Sequence, residues 1–279
     1  DSIVFLVTAV RSNSRINGTE IRWKLKPNHL FDDYRTSVYG LATEGFADGE
    51  NPTGDNWAFD LPDENFLFPG DILHYYIYAE DKVGGSDIGA SIFPVDTTGY
   101  SDFSSPIAYN ILYTVNCLPT IRETSPGVYD HPTVLFWNDQ MGYGADNEWY
   151  FALHNLGLTQ GEVPGGYDTY CTNVPSSGVG NGLSRTGLGG IAGYNTMLYA
   201  HGPLGNFSIC NGDFNSDPGN DVELMDLWMQ SGGKHLFMTG DGYANDMQNQ
   251  GGADTAAFVT TYLGISVQDD NLRPLINNQ

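Results

Sequence analysis

The texture of the chain changes once, between about residues 116 and 132, and that change limits the architecture more than any single motif does. Before it, short β-prone stretches alternate with turns. Ile3 to Val10 is one. Glu20 to Leu25 alternates, with Ile21, Trp23 and Leu25 on one face and Arg22 and Lys24 on the other. Ser37 to Leu41, Trp57 to Leu61, Ile72 to Glu80 and Ala108 to Val115 complete the series, and no long amphipathic helix fits among them. This pattern predicts a β-sandwich over residues 1–116. Residues 117–132 carry Pro119, Pro126 and Pro132 among polar neighbours and read as a linker.

From residue 133 to 279 strands and helices take turns. Thr133 to Trp137 is a short apolar run suited to a buried parallel strand. Asp146 to Leu156 places Trp149, Tyr150, Leu153 and Leu156 at helical spacing and stops at Gly157. Strands Tyr167 to Cys171, Thr196 to Ala200 and His235 to Thr239 follow, with helices at Val222 to Gln230 and Thr255 to Leu263. Alternation of this kind predicts βαβ crossovers and a doubly wound, mostly parallel sheet. The whole is therefore a multidomain chain, β followed by α/β.

Charge narrows the function. With 34 acidic and 11 basic residues among 279, the net charge is −23. Such a field repels phosphate backbones, which argues against nucleic acid as a partner, and it attracts cations, calcium first. No apolar run approaches the roughly 18 residues that a membrane span needs, so membrane insertion is not expected. An acidic, turn-rich chain suits a soluble exported protein, and the opening Asp1-Ser2-Ile3 reads as a trimmed or mid-protein start. Cys117, Cys171 and Cys210 match no zinc or redox spacing. If one disulfide forms, Cys171 with Cys210 is the favoured pair, since both fall in the second domain near strand ends.

Two resemblances add to this reading. Phe68-Pro69-Gly70-Asp71-Ile72-Leu73-His74-Tyr75-Tyr76-Ile77-Tyr78-Ala79-Glu80-Asp81-Lys82-Val83-Gly84-Gly85 resembles a pattern in immunoglobulin-like and fibronectin type III-like modules of exported bacterial proteins. There a Pro-Gly-Asp turn leads into a Tyr-Tyr strand, which predicts Tyr75, Ile77 and Ala79 on one face and Tyr76 and Tyr78 on the other. The second half resembles the flavodoxin-like, glutamine-amidotransferase-like domain appended to secreted bacterial proteases and surface proteins. The matching landmarks are Val134 to Asp139, Tyr150 to Gly157, Tyr167 to Tyr170, Tyr194 to Tyr199 and Leu227 to Gly242. That family continues with further strands after its last helix, so the sheet is expected to be incomplete or closed by sequence beyond Gln279.

In doubly wound sheets ligands bind at the carboxyl ends of the strands. The residues there are Asn138, Asp139, Cys171, His201 and Asp241, and of these Asn138, Asp139, His201 and Asp241 form the expected ligand crevice. Two catalytic readings are open to test. The amidotransferase resemblance implies a cysteine on a strand-to-helix elbow, here Gly240-Asp241-Gly242-Tyr243-Ala244, but Gly242 holds the nucleophile's position and has no side chain to attack with. A gingipain- or caspase-like reading matches His201-Gly202, yet the next strand ends Met238-Thr239-Gly240-Asp241 without a cysteine. Cys210 would have to reach His201 from the loop. No catalytic residue is assigned.

Asp213, Asn215 and Asp217 alternate as oxygen ligands do in a calcium loop, with Asp221 a further candidate. Pro218 stands where an EF-hand needs glycine and Leu224 where it needs a bidentate acid, so the expected loop is noncanonical. The competing reading is an acidic turn leading into the helix at Val222, with Asp221 as its N-cap. The chain is expected to be a noncatalytic extracellular or cell-surface module, with other domains or subunits of a larger exported protein as partners. The alternative is an accessory part of a secreted protease whose catalytic domain lies elsewhere.

Overall fold

The computed structural model describes residues 4–8, 16–35, 44–50, 56–62, 65–83, 86–104, 108–139, 145–172, 182–202, 209, 220–240 and 242–266. The chain divides into two compact units, Asp1–Arg122 and Glu123–Gln279.

The first unit is antiparallel β. Its strands are β1 (Val4–Thr8), β2 (Ile16–Lys26), β3 (Glu44–Glu50), β4 (Asn56–Asp60), β5 (Ile72–Val83), β6 (Ser86–Phe93) and β7 (Thr114–Asn116). They hydrogen-bond in the order β1-β4-β3-β2-β5-β6, with β7 also on β5. Strand β3 changes partner along its length, pairing with β2 through Asp48 and with β4 from Gly49. Ile21, Trp23 and Leu25 of β2, Leu73, Tyr75 and Ile77 of β5, and Trp57 and Phe59 of β4 share one buried core. Gly45, Ala47 and Gly49 alternate toward it, and a Cβ at Gly49 would overlap Thr19 and crowd the rings of Phe59 and Trp57. Small residues are what let β3 cross beneath large aromatic ones.

The Pro-Gly-Asp turn is structural. Asp71 is fully buried; its Oδ1 accepts from Asn28 N and from Arg35 Nη2, each at 2.6 Å, and its Oδ2 accepts from Phe68 N at 2.9 Å. Gly70 sits at φ +84°, where a Cβ would meet the carbonyl of Ile121. The turn fixes the start of β5, and Tyr75 and Ile77 go into the core while Tyr76 and Tyr78 lie outside it.

Two expectations differ from what is observed. Ala108 to Val115 is not one strand. The side chain and carbonyl of Asn110 take up the amides of Leu112 and Tyr113, which bends Ile111–Tyr113 into a 3-10 turn and leaves only β7 extended. The segment read as a linker carries a hairpin, β8 (Arg122–Ser125) and β9 (Val128–Asp130), turned by Pro126-Gly127 with Gly127 at φ +74°. Ser37 to Leu41 lies outside the described residues.

The second unit holds a four-stranded parallel sheet: β10 (Val134–Asn138), β11 (Tyr167–Cys171), β12 (Thr196–Ala200) and β13 (His235–Thr239), in the order β11-β10-β12-β13. Helices α1 (Asp146–Asn155), α2 (Gly187–Ile191) and α3 (Asp221–Gln230) lie in the crossovers. After β13 come α4 (Tyr243–Asn245) and α5 (Ala253–Phe258), the latter running on as a π-helical turn to Leu263 and ending at Gly264 with φ +61°. Each strand has five residues and the four run in step, Asn138 opposite both Cys171 and Ala200, and Ala200 opposite Thr239. The order reverses direction between β10 and β12. One sheet face presents Phe136 to Trp149, Tyr150 and Leu153 of α1. The other presents Leu135, Trp137, Met197 and Tyr199, all buried, while Trp228 of α3 donates Nε1–H to the Tyr194 carbonyl at 3.1 Å.

Candidate functional site

The ladder continues one residue past the strands. Asp139 N donates to the Ala200 carbonyl, Thr172 N to the Asn138 carbonyl and His201 N to the Thr239 carbonyl, each at 2.9 Å. Side chains alternate along a strand, so Asp139, Thr172, His201 and Gly240 fall in one row on the same face as Trp137 and Tyr199. This row crosses the reversal between β10 and β12, the place where an open α/β sheet leaves a crevice.

Among the described residues the polar side chains of this row are buried. Asp139, Tyr199 and His201 each have 0% exposure. The Asp139 carboxylate accepts from the Thr172 hydroxyl at 2.5 Å and from the Tyr199 hydroxyl at 2.9 Å. His201 Nδ1 lies 3.9 Å from Asp139 Oδ2, close enough for charge to act but too long for a hydrogen bond. Among the described residues neither ring nitrogen of His201 has a hydrogen-bond partner. Its imidazole lies nearly parallel to the Tyr199 ring, and a Cβ at Gly240 would stand 2.6 Å from the His201 Cβ. Burial pushes the Asp139 carboxyl up to about 6, against the opposing pull of His201, Thr172 and Tyr199. Burial also holds the Tyr199 hydroxyl well above its ordinary range, so it remains a donor.

Asn138 belongs to a different group. One residue before Asp139, it faces the opposite side of the sheet, where its amide donates to Asp146 Oδ1 at the start of α1. Cys171 is its register mate and shares that face, exposed and away from His201. Cys171 and Cys117 are free thiols, so the expected link from Cys171 to Cys210 is not made. Cys210 itself lies outside the described residues.

Protein-family models, curated proteins and solved structures yield no match to this chain. Its site is therefore read from its own atoms.

Gly242 stands at φ +76° immediately before α4, with no side chain to offer a substrate. Asp241 lies outside the described residues, as do Asp213, Asn215 and Asp217. The fourth candidate metal ligand is described. Asp221 is the first residue of α3 and fully buried; its Oδ1 accepts from Ser184 N and Ser184 Oγ, each at 2.8 Å, and from Gly182 N at 3.2 Å. Nor is it the N-cap. Asn220 fills that place, its Oδ1 accepting from Glu223 N at 2.9 Å. No cluster of three or more potential metal ligands occurs among the described residues. Sequence reasoning also missed Thr172 and Tyr199. Tyr199 was findable, two residues before His201 on a strand; Thr172 needed the register.

Proposed function

We propose that this chain is a noncatalytic module of a larger exported protein, acting outside the cell or at its surface through binding and structural contacts. The observation that carries the reading is the burial of the polar residues at the strand ends. Where an α/β enzyme would leave space for substrate, Asp139, Tyr199 and His201 are wholly buried and hydrogen-bonded or packed against one another. Gly242 at the elbow removes the nucleophile as well. The strand order β11-β10-β12-β13 and the in-step register support a flavodoxin-like second domain. The core shared by β2, β4 and β5 supports a sandwich-like first one. Calcium, held on Asp213, Asn215 and Asp217 with Asp221 beside them, is part of the reading.

The test is direct. The purified chain is assayed against amide, ester and peptide substrates and exposed to a thiol-reactive activity probe. The expected result is no turnover and no probe labelling that depends on His201. Turnover abolished by His201→Ala would replace this reading with a hydrolase.

A further inference from the structure

The outer face of the first unit's sheet carries a built groove of about 550 Å³, within the range of small-molecule sites. Tyr76 of β5, Ile92 of β6 and the following loop residues Thr97, Tyr100, Ser101 and Asp102 line it. The loop is held in place from several sides. Tyr100 N donates to the Thr97 carbonyl and Asp102 N to the Gly99 carbonyl. Gly99 sits at φ +84°, where a Cβ would collide with the Ala108 carbonyl. His74 Nδ1 lies 3.1 Å from the Tyr100 carbonyl, and Lys24 Nζ donates to Ser101 Oγ at 2.7 Å. The Tyr76 and Tyr100 rings meet edge to face at 4.9 Å between centroids. A pocket wall fixed before binding spares the ligand the cost of ordering it.

The lining selects a chemistry. The phenol rings of Tyr76 and Tyr100 line the groove, with Lys24 Nζ over the Tyr100 ring at 5.5 Å, and the hydroxyls of Thr97 and Ser101 add donors and acceptors. Asp102 is exposed, and hydrogen bonds from the Ser104 hydroxyl and backbone N–H keep its carboxyl below the usual range, so it stays an acceptor. Two nearby cations are matched, Lys24 Nζ standing 3.5 Å from Glu44 and Arg22 Nε 2.8 Å from Glu20, and a chain of charge −23 disfavours an anionic polymer. The groove is lined by side chains of β5, β6 and the loop that follows, and the peptide arm of the test below separates this reading from strand addition at the β6 edge.

We propose that this groove binds a neutral oligosaccharide, its sugar rings against Tyr76 and Tyr100 and its hydroxyls on Asp102, Ser101 and Thr97. The inference rests on the reading of the chain as a binding module and names its ligand class. It is tested by screening the whole chain on immobilised neutral, anionic and cationic glycans, followed by calorimetry with the best neutral oligosaccharide. Expected is retention of neutral glycans only. Asp102→Asn, which keeps Oδ1 to accept from Ser104 N, and Tyr76→Ala should each weaken binding at least about tenfold, an effect of one charge-assisted hydrogen bond or one buried ring face. Melting curves are run on both variants; Asp102→Asn, on an exposed loop, decides the matter if Tyr76→Ala unfolds. No retained glycan, retention of anionic glycans alone, or affinity unchanged by Asp102→Asn overturns the proposal. A peptide that binds and is released by the groove substitutions overturns it too. Any of these results with the hydrolase assays still blank leaves the noncatalytic reading standing; turnover dependent on His201 removes that reading whatever the groove binds.

Discussion

A carboxyl held at about 6 in the folded chain, against 3.8 for an ordinary aspartate, ties stability to pH. Between those values the folded state keeps a proton on Asp139 that the unfolded chain releases. Stability from this group is therefore fully present below about pH 4 and is lost as pH rises through about 6. Two pKa units correspond to roughly 3 kcal/mol as an upper bound. Asp139→Asn retains an acceptor for Thr172 and should flatten the pH dependence of urea unfolding across this interval; an unaltered slope would sink the assignment. The Asp71 carboxylate pairs with the buried Arg35 guanidinium, so Asp71→Ala leaves that cation only the more distant Asp32, at 3.8 Å, and strands several donors. The expected loss is on the order of 3–5 kcal/mol in the same unfolding measurement. Sequence made Asp139 and His201 visible as strand-end residues. It gave no hint that Asn138, one position away, turns to the other face and joins Asp146, because that needs the phase of the strand relative to its helices.

Among elements, β3 was the least legible. Glu-Gly-Phe-Ala-Asp-Gly-Glu carries its only large apolar side chain, Phe46, outward, while the inward positions are Gly45, Ala47 and Gly49. A pattern search keyed to large hydrophobics passes over it. Yet the fit under Trp23, Trp57 and Phe59 makes those small residues obligatory. Gly49→Val should cost about 1–3 kcal/mol by overpacking, read as a lower denaturant midpoint with an unchanged slope. Strand β6 was missed for a related reason. It lies at the edge of the sheet, is exposed from Gly89 to Phe93, and has no buried face to print an alternation on the sequence. Strands β11, β12 and β13 were found with the bounds they have, and β5 and β10 within three residues of theirs.

At the scale of the whole molecule, a charge of −23 opposes compaction everywhere. Sodium chloride should raise the melting temperature by screening that repulsion. Calcium at millimolar concentration should raise it further than sodium at equal ionic strength, with the extra shift abolished by Asp213→Ala combined with Asp217→Ala. Equal shifts for the two salts would leave only the acidic-turn reading of that loop. The change of texture near residue 120 was the most legible feature of all, since the shift from period two to strand–helix alternation needs no knowledge of packing. The in-step register of β10 to β13 reaches further than architecture. Because the amides of Asp139, Thr172 and His201 extend the ladder beyond the last strand residues, the polar layer opens with the sheet and not with the loops that follow it. Those three amides should exchange deuterium at the slow rate of global unfolding, hours behind ordinary loop amides. A ligand seeking the buried pair would then have to wait for the sheet itself to open.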